Sequence, residues 1–489
     1  MLSVVVGFGG CRRFVIEVIL PGEGEGEGEG EGEGVEVVGH VRELRGAWVA
    51  TVFGINWPSD PNASAASKQQ ELIDIVDTVA DSGINAIFFQ TRPESDAMYA
   101  STIEPWSRFL TGTQGRDPGF DPLQVAIDAA HARGVELHAW INPYRGLTSS
   151  SVTAASNHVS KTLRADAITY DGGVWMDPSS AAVRAHVVAV VQDVVARYDV
   201  DGIHFDDYFY PYPGDVPFPD AADYSAYTSS GGSLSKSAWR RENVNTLIDD
   251  VSVALSTLRP SARFGVSPFG IYKNGVPAGI AGLDAFEEIS CDPVTWLAMD
   301  WVDYVAPQLY WRTTQTQQAF GTLLPWWASL TDGDGRFVVA GMNLAGLRLN
   351  NGYDLPEYAA EIEIVRAHAD VGAGGTLLYH VGPLLEDDNV AAATAVHNER
   401  LALPPPVVAD PRVPAMPTAQ LDGNDVVVAA TSSSLDRGVA FYIEVNNAWV
   451  LQSLSLSPEA KRFAHRGRRV AVTTVGKNDR ESAPLILQP

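Results

Sequence analysis

Cysteine is nearly absent from this chain of 489 residues: there are two, Cys11 and Cys291. Two cysteines can build neither a disulfide framework nor a cysteine-based zinc site, so the fold must rest on its core. Basic residues are scarce as well, 34 Lys and Arg against 60 Asp and Glu, for a formal net charge of −26. A nucleic-acid partner calls for a basic patch to match phosphate charge. The one dense basic stretch, 461–469, reads as a solvated turn, so no nucleic acid is expected. No apolar run reaches the roughly 18 residues that cross a bilayer, which argues against a membrane span. A Gly-rich phosphate loop after the first predicted strand is missing; that turn reads Gly54-Ile55-Asn56-Trp57-Pro58. No His-Glu-x-x-His occurs anywhere.

What remains is an ordinary globular composition, 45% hydrophobic and 19% charged, at a length that suits a large barrel and a small second module. Residues 22–34 alternate Gly and Glu, a pattern that buries no core, so 1–41 is expected to be disordered. Phe8-Gly9-Gly10-Cys11 has a faint likeness to a lipoprotein cleavage site, but no basic stretch opens the chain and no clear signal peptide is readable.

From residue 42 to 402 apolar β-rich runs alternate with helical patterns. The predicted strands are 47–53, 86–90, 135–141, 202–205, 264–266, 304–309, 337–340 and 376–379. Helical spacing predicts helices over 68–82, 121–133, 181–198, 244–258 and 355–369, with Gly83, Gly134 and Gly372 where left-handed caps belong. Strand and helix repeated about eight times predict an α/β fold, a (β/α)8 TIM barrel. A stiff Pro-rich linker follows over 403–418. Short runs at 425–430, 439–445, 449–454 and 469–475 then predict a small all-β sandwich over 419–489, of fibronectin or immunoglobulin type.

Strands of a parallel barrel are buried on both faces, so polar residues near their C-terminal ends are informative. Strand four reads Gly202-Ile203-His204-Phe205-Asp206-Asp207-Tyr208; period two turns His204, Asp206 and Tyr208 into the lumen and leaves Asp207 at the rim. Strand three puts Glu136, His138, Trp140 and Asn142 on one face, followed by Tyr144 and Arg145. Strand two gives Gln90 and Arg92, strand six Gln308 and Tyr310, strand seven Asn343 and strand eight His380. Unpaired buried polar groups are costly, so polar residues from six strands are expected to converge on one mouth around a polar ligand. Trp57, Trp106, Tyr144, Trp175, Tyr208, Tyr210, Tyr212, Tyr310 and Trp311 lie in the loops beyond the strands. Half of them are expected to pack loops and half to face sugar rings, whose C–H faces stack on aromatic planes. Glycoside cleavage uses two carboxyls flanking the bond. Asp206 is the first candidate; Asp207 and Asp96 are the candidates for the second, ahead of Glu94 and Glu136.

Several longer motifs are recognisable. Glu43-Leu44-Arg45-Gly46-Ala47-Trp48-Val49-Ala50-Thr51-Val52 opens the series, followed by Gln90-Thr91-Arg92-Pro93, Asp96-Ala97-Met98-Tyr99 and Glu104-Pro105-Trp106-Ser107. After these come His138-Ala139-Trp140-Ile141-Asn142-Pro143-Tyr144-Arg145, the stretch from Asp201 to Pro213, Ser267-Pro268-Phe269-Gly270-Ile271 and Pro307-Gln308-Leu309-Tyr310-Trp311. In that order, over about 42–401, they resemble the glycosyl-hydrolase-like family 10 barrels. The resemblance implies a TIM-barrel glycoside hydrolase acting on a polysaccharide or oligosaccharide, bacterial cell-wall glycan for instance, and an extracytoplasmic or cell-surface location. It implies Asp96, Asp206 and Asp207 as the acidic positions. No metal or other cofactor is expected. Two other readings compete: a metal-dependent carbohydrate deacetylase with His138, His204, Asp206 and His380 as ligands, and a non-catalytic glycan-binding barrel.

Overall fold

The computed structural model describes residues 38–331, 335–349, 352–431 and 433–489. The expectations for the Gly-Glu tract and Cys11 lie outside the described residues. Eight parallel strands close into a barrel in chain order: β1 (Leu44–Val49), β2 (Ala86–Arg92), β3 (Glu136–Ile141), β4 (Gly202–Phe205), β5 (Arg263–Val266), β6 (Tyr304–Val305), β7 (Phe337–Met342) and β8 (Ala373–Leu378). The closing pair aligns Gly375 of β8 with Leu44 of β1. A helix follows each strand: α1 (Ala65–Asp81), α2 (Pro122–Ala132), α3 (Ala181–Arg197), α4 (Lys236–Leu258), α5 (Pro293–Ala298), α6 (Phe320–Ala328), α7 (Leu355–Ala367) and α8 (Asp388–His397). The fold is a (β/α)8 barrel, as the alternation predicts.

Local chemistry sets these elements. Ser64, Asp121, Ser180, Ser235 and Asp354 cap α1, α2, α3, α4 and α7 by accepting an N–H of the first turn. Gly83 and Gly134 take φ of 69° and 70° just after α1 and α2, the left-handed exit their positions predict. Two strands differ from their expected limits. The first was expected over 47–53 but ends at Val49, because the Thr51 and Val52 N–H groups turn to Gln90 Oε1. The sixth was expected to reach 309; its continuous ladder stops at Val305, before Pro307, which has no N–H to donate, and Gln308 then bridges Phe269 and Gly341.

Outward strand residues and inward helix residues form one apolar layer, with Val76, Ile127, Val191 and Leu247 among its members. The lumen is filled by Trp48, Phe88, Trp140, Tyr304 and Phe337. Its large rings need glycine beside them. A Cβ on Gly202 would stand 2.5 Å from His138 Nδ1, and one on Gly265 would stand 2.0 Å from the Tyr304 ring.

Beyond the barrel lie two antiparallel sheets, with core side chains including Val426, Phe441 and Val472. One joins β9 (Ala419–Asp422), β10 (Asp425–Val428) and β13 (Lys461–Ala464). The other joins β12 (Ala448–Ser455), β11 (Asp436–Val445), β14 (Val470–Gly476) and β15 (Leu485–Leu487). The basic stretch 461–469 is therefore not all turn: Lys461–Ala464 is a strand whose Phe463 stacks on Phe441 at 4.7 Å. The Pro-rich stretch is tied to this unit, with Asn478 Nδ2 donating to the Asp410 and Arg412 carbonyls. Arg437 and Asp479 from this unit enter the N-terminal end of the barrel. There Arg437 Nη1 lies 2.9 Å from Glu136 Oε1 and 3.3 Å from Asp479 Oδ1, and Arg263 pairs with Asp479.

Candidate active site

Strand β4 ends at Phe205 and the backbone then turns, so two adjacent residues, Asp206 and Asp207, both reach the mouth. They lie in a cleft of about 500 Å³, beside Trp48, Trp140, Arg145, Tyr208 and Gln308. Asp206 Oδ2 accepts from Trp140 Nε1 at 3.0 Å and from Asn142 Nδ2 at 3.1 Å. Burial pushes the Asp206 carboxyl up to about 7; the Arg145 guanidinium pulls it down and the neighbouring Asp207 charge adds to the rise. Burial also raises Asp207, against hydrogen bonds from Tyr212 and Gln308 that favour its charged form. Arg145 lies 4.1 Å over the Tyr208 ring, which fixes both groups at the edge of the cleft.

Of the predicted binding residues, Gln90, Trp140, Arg145, Tyr208, Gln308 and Tyr310 line the cleft. Asn142 reaches it through Asp206, and its Oδ1 accepts from Arg145 N at 3.0 Å. The others do not line the cleft. His138 and His204 do lie in the lumen but deeper, His138 against Glu136 at 2.9 Å and His204 between Trp48 Nε1 and the Tyr304 hydroxyl. Arg92 is clamped by Glu104 and donates to the Asn142 and Pro143 carbonyls. Tyr144 is fully buried, Trp311 packs on Phe269, and Asn343 caps the turn after β7. His380 holds Asn56 Nδ2 at 2.8 Å.

Asp96 also departs from expectation. It is buried beneath the loop after β2, where it accepts from Gln114 Nε2 at 3.0 Å and from the Glu94 N–H at 3.2 Å. Burial, reinforced by the Glu94 charge, raises its carboxyl to about 7, yet it does not line the cleft. Glu94 binds Arg108 and the Thr148 N–H, fastening the same loop to the chain after β3. The proposed ligands His138, His204, Asp206 and His380 thus face separate partners. Among the described residues no group of three or more His, Cys, Asp or Glu is placed to hold a metal ion.

The sequence reading missed two walls. One is a three-stranded sheet inserted after β3, Arg145–Leu147, Ala167–Tyr170 and Gly173–Met176, which brings Asp171 and Trp175 to the cleft. Its signal was the Asp171-Gly172 pair between alternating apolar residues, a hairpin signature. The other is the turn after β1, which brings Phe53 and Ile55. Of the nine loop aromatics, Trp175, Tyr208, Tyr212 and Tyr310 line the cleft, while Trp57, Trp106, Tyr144, Tyr210 and Trp311 do not.

A closed barrel with paired carboxyls between aromatic walls at its C-terminal mouth has the architecture of a carbohydrate-active barrel. The model of the family described as Glycosyl hydrolase-like 10 matches residues 43–342, and the chain belongs to that family. It is 36% identical over 338 residues to the glycosyl hydrolase YngK of Bacillus subtilis, a match covering 66% of this chain and 66% of that protein, just under two thirds of its length. It is also 36% identical over 310 residues to the glycosyl hydrolase DigH of Escherichia coli, covering 59% of this chain and 70% of that one. Among solved structures, the glycoside hydrolase domain of PgaB (BpsB) from Bordetella bronchiseptica is similar at a TM-score of 0.47 and 14% identity, over 73% of this chain and 98% of that chain.

Proposed function

We propose that this protein is a glycoside hydrolase that cleaves O-glycosidic bonds of a polysaccharide, with bacterial cell-wall glycan strands as the favoured substrate. The observation that carries the reading is the Asp206 carboxyl, buried in the cleft and pushed up to about 7, so that it holds a proton near neutral pH. Its Oδ2 is engaged by two side-chain N–H donors, whereas Oδ1 meets only the Tyr208 N–H at 3.4 Å, so Oδ1 carries the proton to the leaving oxygen. Asp207 is the second carboxyl: burial raises it against hydrogen bonds from Tyr212 and Gln308, and in its charged form it faces the positive charge that develops on the sugar ring as the bond breaks. Trp140, Tyr208 and Tyr310 supply stacking planes around the carboxyls. Family membership and the names of YngK and DigH support the hydrolase reading.

The test is release of reducing ends from a glycan panel headed by peptide-free peptidoglycan strands. The parent is expected to release them with and without chelator. Asp206→Asn is expected to lose at least a hundredfold while remaining folded, and Asp96→Asn is expected to keep most of the activity. No release from any glycan, together with intact binding of one, would replace the hydrolase by a binding barrel.

A further inference from the structure

The turn after β1 carries a residue that its backbone disfavours. Phe53 and Gly54 take φ of 56° and 64°, and Ile55 N donates to Val52 O at 3.1 Å, the pattern of a type I′ turn. Such turns choose Asn, Asp or Gly at both central positions, because a Cβ at positive φ crowds the backbone. The hairpin that lines the same cleft obeys the rule with Asp171-Gly172 at φ of 45° and 75°. At Phe53 a bulky ring stands there instead. It is 66% exposed, the one aromatic side chain among the described residues left largely in solvent, and it lines the cleft.

The surroundings hold it in place. The Thr51 and Val52 N–H groups donate to Gln90 Oε1 at 2.9 Å each, and Asn56 closes the loop by exchanging hydrogen bonds with Ala50. His380 fixes the Asn56 amide, and Phe109 meets the Phe53 ring edge-on at 5.5 Å. A disfavoured backbone kept by so many contacts, with an apolar ring presented to solvent, points from strain to function. Strands β1 and β4 are three places apart around an eight-stranded ring, so Phe53 stands across the mouth from Asp206 and Asp207.

We propose that the Phe53 ring is a stacking platform for one pyranose ring of a glycan chain, in a subsite at the β1 rim remote from the bond that is cut. The proposal rests on the glycan-cleaving reading and adds to it that the cleft is built for a chain several sugars long. The ring takes the C–H face of a hexopyranose, and Trp175 of the hairpin wall lines the same cleft and confines the chain.

The test is calorimetric binding of peptide-free cell-wall oligosaccharides, from disaccharide to octasaccharide, to the full chain carrying Asp206→Asn, which removes turnover. Affinity is expected to rise with length. Adding Phe53→Asn, which suits the turn, should cut that rise about tenfold while raising the melting temperature by about 1–3 °C. Phe53→Tyr should restore the rise. Equal length dependence with and without the ring, or no binding at any length, would overturn the subsite. Length- and Phe53-dependent binding by a parent that cleaves nothing would instead remove the hydrolase reading and leave the subsite standing.

Discussion

The two oxygens of Asp206 meet different partners, Oδ1 only the Tyr208 N–H at 3.4 Å. Oδ2 is fixed by Trp140 and Asn142, and those hydrogen bonds favour the charged form, while burial favours the neutral one. Burial wins, and the proton is held up to about 7. Because the acid must be protonated to act, kcat/KM is expected to fall above about pH 7. Removing the Trp140 donor withdraws support from the charged form, so Trp140→Phe should move the alkaline limb to higher pH; a limb that stays or moves down would contradict the assignment. At this scale the sequence was half legible. Alternation in strands three and four shows which side chains face the lumen, and Trp140 and Asp206 duly meet there. It does not show how deep they sit. His138 and His204 share those faces but lie below the mouth, bonded to Glu136 and Tyr304. Arg92 shares a face of strand two with Gln90, and the family resemblance implies Asp96 as an acidic position; their buried partners, Glu104 and Gln114, come to them only through the fold.

At the scale of elements, barrel strands give the cleft Trp48, Gln90 and Trp140, and what is added to the barrel gives it walls. The hairpin after β3 forms one wall and the turn after β1 the other. Gln90 was expected to touch substrate, and it lines the cleft, but its Oε1 is occupied by the two N–H groups that shape the Phe53 turn. Gln90 is therefore a positioning residue. Gln90→Ala leaves two buried donors without a partner, a loss of about 1–3 kcal/mol in unfolding free energy. It should also flatten the gain in affinity with glycan length, which a change to stability alone would not do. Denaturant unfolding and the oligosaccharide series measure the two effects. Helices and strands were readable because caps and periodicity are local. Of the hairpin wall only the Asp171-Gly172 turn was readable; its pairing with the distant Arg145–Leu147 leaves no local signal.

For the whole molecule, the C-terminal sheets do more than follow a linker. Arg437 and Asp479 close the end of the barrel opposite the cleft, meeting Glu136 and Arg263 in a buried ionic cluster. Against the cost of burial, the nearby cations hold Glu136 well below the usual carboxylate range. Removing one member of such a cluster strands the others. Arg437→Ala is expected to cost about 3–5 kcal/mol in unfolding free energy, read by urea denaturation, although it lies at the far end from the cleft. No expectation from sequence pairs residue 136 with 437 or 479, because contacts between a barrel and a later sandwich leave no periodic trace. The succession of elements, by contrast, was open to reading from the alternation of apolar runs and helix signals.

Proton donation by Asp206 to the leaving oxygen is measured by leaving-group dependence. A glycoside with a poor alkoxide leaving group needs that proton; one with a dinitrophenolate leaving group does not. Asp206→Asn should lose at least a hundredfold in kcat/KM on the first and far less on the second. An equal loss on both would rule out proton donation and make Asp206 a structural group of the cleft.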